Sequence, residues 1–82
     1  MIEMTIEEKI ERLTLFLENK TYTYIRDKFG FGFNGYTQKI DTVKILFLDD
    51  ELAIIPIAIK DIVTIDYSKK IKKQEDNNGN SS

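Results

Sequence analysis

Cysteine, histidine and tryptophan are absent from the 82 residues, and proline occurs once. Without cysteine there is no disulfide framework, no thiol nucleophile and no thiolate metal site. Without histidine the chain lacks the commonest general base and metal ligand near neutral pH. Ser68 has only lysines near it in sequence to activate it, so composition points away from an enzyme, a metal or a cofactor. Long apolar runs are missing too. The run Ile54–Ile59, even with the Leu52 and Ala53 that precede it, falls far short of the about 20 residues that span a bilayer. The opening Met-Ile-Glu-Met-Thr-Ile-Glu-Glu-Lys lacks the basic and apolar regions of a secretory signal. The expectation is a soluble, cytoplasmic protein with no membrane partner.

What is present is rich in isoleucine, phenylalanine and tyrosine, which favour strands. The length allows one domain, which buries only about 60% of the surface its unfolded chain exposes. The formal net charge is −2, unevenly spread. Residues 1–20 carry five acids and three bases, residues 21–50 four of each, and residues 51–68 three acids and one base. Lys69, Lys70, Lys72 and Lys73 then cluster before a polar run ending Asn-Asn-Gly-Asn-Ser-Ser. This divides the chain into a folded domain, 1–68, and a basic, then polar, tail, 69–82, expected to be disordered. The mildly acidic body offers no basic face of the kind that strong non-specific nucleic-acid binding requires.

Thr5-Ile6-Glu7-Glu8 has the pattern of a capping box, and Ile6, Ile10, Leu13 and Leu17 recur at helical spacing with Phe16 beside them. This predicts an amphipathic helix over 6–18, stopped by Asn19 at the C′ position. After Lys20 the period falls to two. Thr21–Ile25 reads as a strand, and Asp27-Lys28 as a turn. Phe29-Gly30-Phe31-Gly32-Phe33 places three rings on one face, with the glycines marking bending or close backbone approach. Asn34-Gly35 is a strong hairpin signal, yet a strand running through Gly35 is equally compatible with the pattern. Further strands are expected at Val43–Leu48, Leu52–Ile59 and Ile62–Tyr67, separated by turns at Asp49-Asp50-Glu51 and Lys60-Asp61. Pro56 marks its strand as an edge, a bulge or a strand end, because proline donates no ladder hydrogen bond.

Phe33, Gly35, Asp41 and Asp50, within one helix followed by five short strands, resemble the first motif of the Sm-like family, which includes the Sm, Lsm and Hfq proteins. The resemblance implies a mostly β fold: an N-terminal helix on a five-stranded, strongly bent antiparallel Sm-like (SH3-like) barrel. Gly35 would let the second strand bend, and the strand would pass straight through it. The resemblance also implies RNA or other single-stranded nucleic acid as partner, and a ring formed through the edges of the fourth and fifth strands. The family's base-contacting groups are replaced: Ile45 stands for the asparagine, Val43 and Lys44 for the stacking residue, and Ala58-Ile59 for the second motif's Arg-Gly. A looser resemblance, to YolD-like proteins, lies in Gly35, Ile40-Asp41, Ile55-Pro56-Ile57 and Lys60-Asp61-Ile62-Val63-Thr64-Ile65-Asp66. It implies a protein-interaction adaptor or regulator without nucleic-acid binding.

Two readings apply to each candidate site. Phe29, Phe31 and Phe33 read as barrel filling rather than as part of a stacking platform for single-stranded nucleic acid. Tyr22, Tyr24 and Tyr36 read as either rim residues or a stacking platform for single-stranded nucleic acid. Lys44, Lys69, Lys70, Lys72 and Lys73 are the candidate phosphate contacts, the last four equally a solubilising run. Asp49, Asp50 and Glu51 read as a solvated turn rather than a cation site. Gly35, Asp41 and Pro56 read as structural, Asp41 as a loop cap.

Overall fold

The computed structural model describes residues 3–69, so Lys70, Lys72 and Lys73, like most of the expected tail, lie outside the described residues. Helix α1 spans Ile6–Glu18 and is followed by β1 (Thr23–Asp27), β2 (Gly32–Ile40), β3 (Lys44–Asp49) and β4 (Ala53–Ala58). A 3-10 turn, Ile59–Asp61, leads to β5 (Ile62–Tyr67). No helix among the described residues is long and apolar enough to cross a membrane.

The N-terminus of α1 is closed by the capping box: the Glu8 N–H donates to the Thr5 hydroxyl at 3.1 Å and the Thr5 N–H to Glu8 Oε1 at 2.8 Å. The other end departs from expectation by one residue. Asn19 is the C-cap itself, and Lys20, at φ 52°, occupies the left-handed C′ position. The Thr21 N–H donates to Phe16 O and the Lys20 N–H to Leu17 O, so two terminal carbonyls are satisfied. The buried stripe also differs. It is Lys9, Leu13 and Phe16, whereas Ile6 is exposed and Ile10 and Leu17 are half-buried. Lys9 reaches across to donate to Ile59 O and Lys60 O, both at 3.3 Å. Its aliphatic stem lies among apolar side chains while its ammonium meets the carbonyls of the 3-10 turn.

All five strands pair antiparallel in the order β4-β3-β2-β1-β5. The fourth and fifth strands are therefore the two edges, and the sheet is open between them. It is nevertheless strongly curled. In a flat sheet these edges would stand about 19 Å apart at the usual strand spacing. The 3-10 turn that joins them covers only about 8 Å. The turn is tied to both sides: Ile59 N–H donates to Val43 O at 2.9 Å, and Lys28 N–H to Asp61 O at 2.8 Å. The Lys28 ammonium lies 3.2 Å from Asp61 Oδ1, a second tie at that point.

Gly35 is the pivot of the curl. Residues 32–35 of β2 pair with β1, residues 35–40 pair with β3, and Gly35 alone pairs with both, through Thr23 and Asp49. A Cβ on Gly35 would fall 1.9 Å from the Leu48 carbonyl oxygen. The strand thus runs through Gly35, and Asn34-Gly35 is not a turn. The hairpin lies earlier, where Asp27 Oδ1 accepts from the Phe29 and Phe31 N–H groups and Gly30 takes a φ of 93°.

That turn overturns the reading of the phenylalanines as a three-ring core face. Phe29 and Phe31 are exposed on the hairpin, and only Phe33 packs against the core. The core is mostly isoleucine, with its rings supplied from elsewhere in the chain: Ile25, Ile45, Phe47, Ile57, Ile59, Ile62 and Ile65 close against Leu13 and Phe16 of α1. Ile45, where the resemblance would put a base contact, is completely buried.

Candidate functional site

Side chains alternate across a strand, and the core claims Ile45, Phe47 and Ile57. Leu46 and Leu48 of β3, with Ile54 and Pro56 of β4, therefore occupy the opposite, outer face. The register puts Leu48 directly against Ile54 and Leu46 against Pro56. Tyr36 of β2 is the partner of Leu48 on its other side. Tyr22 lies one residue before the Thr23–Gly35 pair and so falls beside Tyr36, their ring centroids 5.4 Å apart and tilted by 36°. Tyr22, just before β1, with Tyr36, Leu48 and Ile54 of β2, β3 and β4 thus forms one continuous row.

The next row is polar. Tyr24 pairs with Asn34 on one side and with Asp66 on the other. The Asp50 N–H donates to Asn34 O at 2.9 Å, extending the row to Asp50. Ser68 Oγ donates to Asn34 Oδ1 at 2.5 Å, and the Tyr22 hydroxyl donates to the Asp50 carboxylate. Partial burial, the hydrogen bond to Asp50 and the charge on Asp50 push the Tyr22 phenol up to about 12, against a smaller opposing effect of Ser68. Asp49 works at the same end of the sheet as a turn cap, its Oδ2 accepting from the Glu51 and Leu52 N–H groups at 2.8 and 2.9 Å. Among the described residues no cluster of three carboxylates is close enough to hold a metal ion.

The candidate contacts are thus only partly brought together. Tyr22 and Tyr36 meet, beside the Asp50 carboxylate. Tyr24 lies one row away over Gly32 and shares a hollow of about 370 Å³ with Asn34, Thr64, Asp66, Tyr67 and Lys69. Lys44 stands at the far end of β3, paired with Ala58. Asp41 holds the β2–β3 turn, accepting from the Thr42 N–H at 2.9 Å and donating its own N–H to Lys44 O at 2.8 Å. What sequence reasoning missed is the outer aliphatic row. The alternation Lys44-Leu46-Leu48 against Ile45-Phe47 carries that signal only weakly, because both faces of the strand are apolar.

Both sheet edges carry devices against strand pairing. The Ile59–Val43 hydrogen bond fixes the ladder phase, so the main-chain groups of Ile54, Pro56 and Ala58 face outward from β4. Pro56 therefore removes a donor from the free edge. On β5 the bond from Ser68 N–H to Tyr22 O sets the phase, leaving Ile65 and Tyr67 outward. Arg12 Nη1 donates to Ile65 O at 3.3 Å, and Tyr67 N–H donates to Asp66 Oδ1 at 2.7 Å. Comparison with family models, with curated proteins and with solved structures finds no match to the chain.

Proposed function

We propose that the chain is a small-barrel module of the Sm-like kind, non-enzymatic, whose work is to bind another protein through the outer face of β3 and β4. The strand order, the short link between the two edges and the bend at Gly35 support that class. The observation that carries the function is the exposed cross-strand pair Leu48–Ile54, 38% and 57% accessible on one face, continued by Leu46 and Pro56. Isolated exposed apolar residues need no explanation, but a contiguous set at an edge is the composition of an interface core.

Single-stranded nucleic acid is the competing ligand. The adjacent tyrosines Tyr22 and Tyr36 favour it, but the Asp50 carboxylate accepts from Tyr22 and Asp66 pairs with Tyr24, so acids stand beside the rings, and Lys44 is at the far end of β3. Edge devices on both β4 and β5 also weigh against a ring built by strand pairing. Fluorescence anisotropy with short U-rich and A-rich oligonucleotides at low salt tests the choice. The protein-binding reading expects no saturable change. Saturable binding that Tyr36→Ala abolishes would overturn it.

A further inference from the structure

A second surface lies away from the outer face, between α1 and the β5 edge. Here Glu8, Glu11, Leu15 and Glu18 follow one another at spacings of three, four and three, which places them in one stripe along α1. The stripe borders a groove of about 970 Å³, to which Glu3, Met4, Phe16 and Tyr67 also contribute. Its floor is apolar and open to solvent: Leu15 is 53% accessible and Tyr67 62% accessible, with the Tyr67 ring 5.1 Å from that of buried Phe16. Its rim is acidic. Four glutamates line it against one arginine, and that arginine is drawn toward the sheet by its hydrogen bond to Ile65 O.

Like charges three residues apart on a helix destabilise it slightly, and Leu15 between Glu11 and Glu18 gains nothing from solvent. An acidic rim around an exposed leucine and tyrosine matches one chemistry well. We propose that this groove is a docking site for a lysine- or arginine-rich segment of a partner protein that carries an apolar side chain. The apolar side chain would settle on Leu15 and Tyr67, over the Phe16 ring. The flanking cations would meet Glu11 on one side and Glu18 on the other, with Glu8 extending the track by a turn. This surface is independent of the Leu48–Ile54 face, so either can be right without the other.

The test uses the full chain and a fluorescein-labelled peptide alternating lysine with leucine. A peptide alternating lysine with serine and one alternating glutamate with leucine serve as controls. Anisotropy is expected to show saturable binding of the lysine–leucine peptide alone. Leu15→Ser, and separately the double change Glu11→Lys with Glu18→Lys, should each weaken it about tenfold or more. Raising salt should weaken it as well, since the rim charges are exposed. Ile54→Lys on the outer face should leave it unchanged. All these positions are exposed, so thermal unfolding of each variant verifies that the fold is kept. Absence of binding would overturn the proposal, as would equal affinity in the Leu15 and glutamate variants. Binding that appears only after residues 70–82 are removed would also overturn it, because the chain's own lysines would then be the occupant.

Discussion

At the scale of single residues, Gly35 and Tyr22 define the region where the sheet bends. The Leu48 carbonyl stands where any side chain at position 35 would begin, and that oxygen belongs to the backbone and cannot swing aside. Gly35→Ala is therefore expected to cost about 3 kcal/mol or more, read as a lower urea midpoint. Tyr22 offers a pH probe of the same region. Its folded-state pKa of about 12 exceeds the ordinary 10.0, so the folded chain holds this proton more tightly than the unfolded one. The stabilisation is complete below pH 10 and is lost as pH rises through that interval toward 12. Ultraviolet titration of the tyrosines should show one phenol ionising late, and Asp50→Asn should bring it earlier. A late phenol unmoved by Asp50→Asn would mean that burial alone holds the proton.

At the scale of elements, most of the architecture was legible, because the apolar period falls cleanly from helical spacing to two after Lys20. The pattern left Asn34-Gly35 open between a hairpin and a strand, and Pro56 open between an edge, a bulge and a strand end; the pairing of Gly35 with both Thr23 and Asp49, and the place of β4 at the end of the strand order, decide them. Other features were not legible. The Phe29-Gly30-Phe31 pattern looks like a strand, yet the Asp27 carboxylate gathers two N–H groups into a hairpin and leaves both rings outside. Lys9 looks like a solvent residue, but its reach to the carbonyls of Ile59 and Lys60 is a tertiary fact invisible to periodicity. Two ends of elements also sit in the left-handed region without glycine: Lys20 after α1 and Ala53 at the start of β4. Lys20→Gly and Ala53→Gly should each raise stability by about 1 kcal/mol, seen as a higher urea midpoint with unchanged slope.

At the scale of the whole molecule, charge and shape favour different partners. The Tyr22–Tyr36 pair on the curled sheet would suit a nucleic-acid strand, whereas the Asp50 and Asp66 carboxylates beside it and the exposed Leu48 and Ile54 suit a protein. Sequence pattern alone left both partners open because every strand residue of β3 is either apolar or at an end. The three-dimensional register settles which of them face outward: Leu46 and Leu48, against Pro56 and Ile54. The site's identity thus depends on pairing between strands rather than on any motif. One edge lacks a donor at Pro56 and the other has its Ile65 carbonyl taken by Arg12, so the face of β3 and β4 is the better candidate than either edge.

If the outer face of β3 and β4 binds protein, its occupant should be recoverable from cells. Affinity capture from extract, nuclease-treated, with wild-type chain and Ile54→Lys side by side tests it most directly. A defined set of proteins should be held by the wild type and lost from the variant. Capture indifferent to Ile54→Lys, or dependent on nucleic acid, would contradict it.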